Sequence, residues 1–204
     1  MTDTIDAPAK PVETRIGDWM ITYTGRRFYP LDPRVSEVDW RDIAHSLAFT
    51  CRYGGHVRRF YSVAEHCAIL AGYFLRLGKP DLAKWALLHD AAEAYVGDII
   101  RPLKPSLDGF AQVEADVEFV IFERAGLIAP GAEWDGKLPA EVKDADNRII
   151  ADEARALFGP DQIRSADWRL TMEPLGVQVG AMHPDAAERH FISIFRVLFG
   201  DPRD

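Results

Sequence analysis

The sequence predicts an all-α fold, a helical bundle carrying one small N-terminal β-hairpin, and three observations lead to it. Six segments repeat apolar residues at three-to-four spacing. Glycines and prolines punctuate the ends of those segments, where helices stop and start. The only strand-like pattern is confined to a short stretch around Gly25.

The elements follow in order. Residues 1–15 are polar, contain Pro8 and Pro11, and bury too little to order themselves, so a flexible tail is expected there. Residues 16–204 are expected to form a single domain, since a chain of 204 residues fits one core better than two. Trp19 to Thr24, the turn at Gly25 and Phe28-Tyr29 suggest the hairpin, which ends at Pro30 and Pro33. Helices are expected over residues 39–49, 62–77, 81–95, 110–125, 139–158 and 185–199. Gly78-Lys79-Pro80, Gly126, Pro139 and Gly159-Pro160 mark their ends. Residues 162–184 contain Trp168, Met172 and Pro174 without clear periodicity and are expected to be a long loop or short irregular elements.

A hydrophobic fraction of 48% and a charged fraction of 27% describe an ordinary folded chain. The formal charge of −8 argues against a protein that grips long nucleic acid, which wants a basic face; a small anion can still be held by a few local cations. Cys51 and Cys67 are too few for a disulfide framework, and Cys67 lies in an apolar helical pattern that suits an inert thiol. With no signal-like start and no run of about 18 apolar residues, a soluble, cytoplasmic protein away from membranes is expected.

Three of the helices direct ionisable side chains inward. His66 lies beside the stripe of Val63, Cys67, Leu70 and Phe74, His89 stands at helical spacing from Trp85 and Ala92, and Asp146 is flanked by Val142, Ile149 and Ile150. Asp90 directly follows His89. A buried ionised carboxylate is costly without compensation, and one divalent cation shared by His66, His89, Asp90 and Asp146 settles all four. Two imidazoles and two carboxylates suit Mn, Co, Fe or Zn better than calcium, with Mg also possible, and a water on that cation is the expected nucleophile. Taken singly, an inward histidine is more often a hydrogen-bonded core residue, and Asp146 can meet an arginine such as Arg148 or Arg155. Periodicity alone leaves both readings open.

Glu93, one turn after His89, and Asp98 can reach the solvent side of such a cation to orient and deprotonate water, or can be ordinary helix-end carboxylates. Arg52, Arg58, Arg59, Arg101 and Lys104 are cations from which a phosphoryl group could draw its donors. Tyr53 can stack on a base or serve the core, and the sequence permits both.

Ser62-Val63-Ala64-Glu65-His66, the run from Leu87 through His89-Asp90 and Glu93 to Asp98, and Lys143-Asp144-Ala145-Asp146 together resemble the HD-domain metal-dependent phosphohydrolases over residues 39–157. The pattern is similar to bacterial 5′-deoxynucleotidases and to the phage HD-domain enzymes that hydrolyse dATP; Phe28 to Pro33, Arg52 to His56 and Phe60-Tyr61 resemble the phage enzymes in particular. The absence of Gly-Tyr-Pro after Asp90 sets the chain apart from the cyclic-dinucleotide branch. The resemblance implies an HD-domain helical bundle, metal ligands at His66, His89, Asp90 and Asp146, and water activation by Glu93 and Asp98. It also implies that Arg52 and Tyr53 approach sugar and base, that Lys104 approaches phosphate, and that the protein is a homo-oligomer. The expected function is hydrolysis of a (deoxy)nucleoside phosphate. The alternatives are a non-catalytic nucleotide-binding module or a hydrolase of another small phosphate ester.

Overall fold

A computed structural model describes residues 14–203. The architecture is the expected helical bundle with a small hairpin. Strands β1 (Met20–Ile21) and β2 (Arg27–Phe28) pair antiparallel with Met20 opposite Phe28. Gly25 supplies the positive φ the connecting turn requires. Phe28 is fully buried and stacks on Tyr95 at 3.7 Å, and Asp42 accepts from the Thr24 amide at 2.6 Å and its hydroxyl at 3.0 Å, so the hairpin is tied to the bundle. Arg15, at the end of the expected tail, is anchored by Asp32 and Glu37 and lies 3.9 Å over the Tyr29 ring; the order therefore reaches further than the boundary at residue 16. Residues 1–13, the rest of that tail, lie outside the described residues.

Helix α1 (Trp40–Phe49) starts at Asp39, whose carboxylate accepts from the Arg41 amide. Helix α2 (Val63–Arg76) starts at Ser62, whose hydroxyl accepts from Glu65. The burial of α2 extends around most of its circumference, which makes it the central helix, and Ala64, Ala68 and Ala71 let neighbours approach closely. Helix α3 (Pro80–Leu88) packs along α2. Here the structure corrects the expected helix over 81–95: it stops at His89, passes through a turn, and resumes as the single turn α4 (Glu93–Val96), which Gly97 ends. Helices α5 (Phe110–Arg124), α6 (Ala140–Leu157), α7 (Pro160–Ser165) and α8 (Pro184–Phe199) complete the bundle. The inward face of α8 packs on α1 and α2, with Phe195 5.0 Å from Trp40. No helix among the described residues is long and apolar enough to cross a membrane.

Residues 162–184 resolve into most of α7 followed by an extended strap over residues 166–183. The strap has few backbone partners of its own and is fastened by side chains of the bundle. The buried Glu65 carboxylate accepts from the amides of Gly180, Ala181 and Met182 at 2.7–2.9 Å. Asp152 accepts from those of Leu175 and Gly176, and Arg148 donates to the carbonyls of Glu173 and Pro174. Replacing Glu65 with alanine frees those three donors and is expected to lower stability by at least about 3 kcal/mol, because hydrogen bonds to a charged acceptor are worth about 1.5–3 kcal/mol each and water that reaches the freed amides returns part of the sum. Urea unfolding measures the loss, and hydrogen exchange at Gly180, Ala181 and Met182 should accelerate; an unchanged urea midpoint would show that the strap is held by other means.

Candidate metal centre

Three of the expected ligands, His66, His89 and Asp146, form one buried cluster, and Asp90 lies beside the two histidines, grouped also with His89 and Cys67. His66 comes from the start of α2, His89 and Asp90 from the break after α3, and Asp146 from α6. In a continuous helix adjacent side chains diverge by about 100°. Here, where the helix ends at His89, Asp90 Oδ2 nevertheless lies 3.3 Å from its neighbour's Nε2. The two Nε2 atoms stand 3.2 Å apart. Asp146 Oδ1 lies 3.4 Å from His66 Nε2 and 3.7 Å from His89 Nε2, and Asp90 Oδ2 lies 3.7 Å from His66 Nε2. Donor atoms about 2.1 Å from a shared cation stand about 3.0–3.4 Å apart in octahedral or tetrahedral geometry; the three shorter spacings match that range and the two of 3.7 Å exceed it by a few tenths of an ångström.

The protonation pattern makes the same point. His89 Nδ1 donates to the Ala86 carbonyl at 2.9 Å, and His66 Nδ1 donates to the fully buried Glu153 at 2.6 Å. When the histidines are neutral, both Nε2 atoms are thereby left as lone-pair donors facing each other and two carboxylate oxygens. Four electron-rich atoms at these distances are reconciled by positive charge between them, a proton or a cation. Burial pushes the Asp90 and Asp146 carboxyls upward, but the adjacent histidines outweigh it and hold both well below the usual carboxylate range. Burial likewise opposes charge on His89, yet Asp90 and Asp146 beside it raise its proton affinity well above the ordinary imidazole value. A buried cluster that draws a proton this strongly can hold a metal ion in its place.

The surroundings orient the donors. Asp146 Oδ2, turned away from the histidines, receives Lys143 Nζ at 2.9 Å and Arg101 Nη2 at 3.2 Å; Arg148, considered from sequence as its partner, pairs with Asp144 instead. Arg52 Nη1 donates to Asp90 Oδ2 at 3.0 Å. Glu153 accepts from Tyr61 at 2.9 Å and from Tyr53 as well as from His66. Burial raises its pKa, but Arg52 and His66 outweigh that and bring it down to about 2. Replacing Glu153 with glutamine removes this charge while keeping the shape. An affinity loss of about 10–100-fold for divalent cation is expected, the usual effect of losing a partner that orients a ligand. Competition against a chelator reads it, and unchanged affinity would reduce Glu153 to a packing residue.

A pocket of about 670 Å³ opens beside the donors. Its walls bring together the sequence candidates Arg52, Tyr53, Asp90, Glu93, Asp98, Lys104 and Asp146. Glu93 is 5% exposed; its Oε1 lies 3.8 Å from Lys104 Nζ and its Oε2 is buried without a hydrogen-bond partner. Burial, then the charges of Asp90 and Asp98, raise its pKa well above the carboxylate norm. Burial also raises that of Asp98. Lys104 is engaged by Glu114 at 2.7 Å. Arg58 and Arg59 fall outside the pocket: the Arg58 amide donates to the carbonyl of Leu157, and the Arg59 guanidinium to that of Ala156.

Sequence reasoning passed over Glu153, Lys143 and Trp168. Glu153 follows Asp146 by seven residues, two helical turns on one face, and Lys143 precedes it by one turn, so helical spacing carried both signals. Nothing in the sequence pointed to Trp168.

Fold and site define a helical-bundle protein with a candidate centre for a single cation. The chain is 36% identical over 136 residues to the uncharacterized protein YfdR of Escherichia coli, covering 67% of this chain and 70% of that one. It is 34% identical over 151 residues to an uncharacterized protein of Rhodobacter capsulatus, covering 71% and 72% respectively. The chain belongs to the family that these proteins represent. No protein-family model matches it.

Proposed function

We propose that the protein is a cytoplasmic, metal-dependent phosphohydrolase of the HD-domain kind that acts on (deoxy)nucleoside phosphates. One observation carries the reading. The pocket beside the four donors is lined by four carboxylates, Asp90, Glu93, Asp98 and Asp146, and by four cations, Arg52, Arg101, Lys104 and Lys143. These four basic side chains and a bound divalent cation would together offer charged partners to several oxygens of one phosphate group.

His66, His89, Asp90 and Asp146 would hold the ion, with Mn, Co, Fe or Zn suited to the mixed donors and Mg also possible. A bound divalent ion supplies Lewis-acid polarisation and a nucleophilic water at neutral pH. The chain's own groups do the rest. Glu93 accepts the proton at Oε2, the atom that otherwise lacks a partner. Asp98 orients the water. Lys104, Arg101 and Lys143 offset charge on the phosphoryl oxygens, and Arg52 keeps Asp90 in place while facing the substrate.

The test is hydrolysis by metal-stripped protein reconstituted with Mn, Co, Mg or Zn, offered deoxy- and ribonucleoside mono-, di- and triphosphates with products resolved chromatographically. Cation-dependent release of phosphate or tripolyphosphate is expected. Nucleotides that bind but stay intact under every metal would overturn the hydrolase and leave a nucleotide-binding module.

A further inference from the structure

The strap over residues 166–183 delivers Trp168 to the metal pocket. Its indole meets Phe158 edge-on at 5.3 Å and Tyr53 at 6.3 Å, and Tyr53 meets Phe158 edge-on at 5.3 Å. All three rings line the pocket that Asp90 and Asp146 of the donor cluster also line. Tyr53 and Phe158 also pack on the hydrophobic core, whereas Trp168 does not, although its strap neighbours Leu175, Val177 and Val179 do. A large indole held against a pocket and outside the core is poorly explained by packing. Trp168 also lines an adjoining cavity of about 270 Å³ with Arg101 and Ile150, so it forms a wall shared between two open spaces.

The backbone is shaped to put it there. Asp167, immediately before Trp168, has φ 47° and is the left-handed residue that ends α7: its amide donates to the Arg164 carbonyl and that of Trp168 to the Ile163 carbonyl, both at 3.1 Å, so the helix end fixes where the indole leaves the bundle. Tyr53 is held by its hydroxyl, donated to Glu153.

We infer that Trp168 is a substrate-contacting residue that, with Tyr53 and Phe158, forms an aromatic wall selecting phosphate esters that carry a flat ring. The inference deepens the proposed function and rests on its placement of phosphate at the metal donors. Aromatic rings add affinity for a base through its π-face whatever its identity, so the wall favours nucleotides as a class over sugar phosphates.

The experiment compares 2′-deoxyadenosine 5′-monophosphate and thymidine 5′-monophosphate with 2-deoxyribose 5-phosphate, the same phosphate ester without a base. Cation-loaded wild type, Trp168→Ala, Trp168→Leu and Trp168→Phe are titrated calorimetrically with each, and the same samples are checked for turnover. Wild type is expected to bind both nucleotides at least about tenfold more tightly than the sugar phosphate. Trp168→Ala should lose about tenfold on the nucleotides and less than about twofold on the sugar phosphate, with Trp168→Phe recovering most of the loss. Trp168→Leu keeps apolar bulk without a ring and decides the matter if the alanine variant does not fold. Equal weakening of all three ligands, unchanged nucleotide affinity in the leucine variant, or no preference for nucleotides in wild type would each overturn the inference. Absence of turnover alongside a Trp168-dependent preference would overturn the hydrolase and leave the aromatic wall standing.

Discussion

Alanine at Asp146 is expected to abolish cation binding and hydrolysis together. The substitution removes the ionised Oδ1 that stands 3.4 Å from His66 Nε2. It also releases Arg101 and Lys143 from Oδ2, leaving two positive charges beside the place a cation must enter. Both effects weaken binding, so the loss should exceed the about 10–100-fold typical of removing a partner that merely orients a ligand. Alanine is a strong helix former and α6 keeps its apolar face through Val142, Ile149 and Leu157, so the fold should persist. Equilibrium dialysis gives the stoichiometry and circular dichroism checks the helices. Full cation stoichiometry or full activity in the folded variant would remove Asp146 from the ligand set.

Glutamine at Glu93 should give a different result: the cation stays, and turnover falls by about 10²–10⁴-fold, the usual contribution of a positioned general base. Glu93 contributes none of the four converging donor atoms, and its buried Oε2 faces no protein donor. A base works only when ionised, and burial together with Asp90 and Asp98 raises this group's pKa. A bound cation offsets the Asp90 contribution and leaves that of burial. Wild-type kcat should therefore rise with pH through an acid limb above the ordinary glutamate value of about 4.3, and the residual activity of the glutamine variant should lack that limb. Stability runs the other way. A carboxyl whose folded pKa is raised favours the fold below its unfolded pKa, and that contribution is lost as pH rises through the folded value; the glutamine variant escapes the loss. Normal turnover with an unchanged pH profile would dismiss Glu93 as the base.

Much of this site was legible in the sequence because helical periodicity is a local rule. The inward placement of His66, His89 and Asp146 follows from spacing against Val63, Trp85 and Ile149, and their convergence follows once three helices share one core. The break between α3 and α4 was not legible. Leu82 to Tyr95 keeps its apolar rhythm across the turn, so no local signal marks the break. Glu153 lies two turns beyond Asp146 on the same face of α6, where a buried carboxylate reads equally as a partner of any core donor. The strap was illegible for a deeper reason. Its fastenings pair backbone amides with Glu65 and Asp152, which lie far away in the chain, and such pairings leave no periodic trace.

Glu153 accepts hydrogen bonds from both His66, at the donor cluster, and Tyr53, on the pocket wall. If a cation and an organic group bind as proposed, this one carboxylate stands beside both, and its orientation is common to both equilibria. In a closed thermodynamic cycle, whatever factor the ion contributes to affinity for the organic group must be returned as the same factor in affinity for the ion. Under the proposed function, any coupling through Glu153 would make the apparent affinity of each occupant depend on the other's concentration.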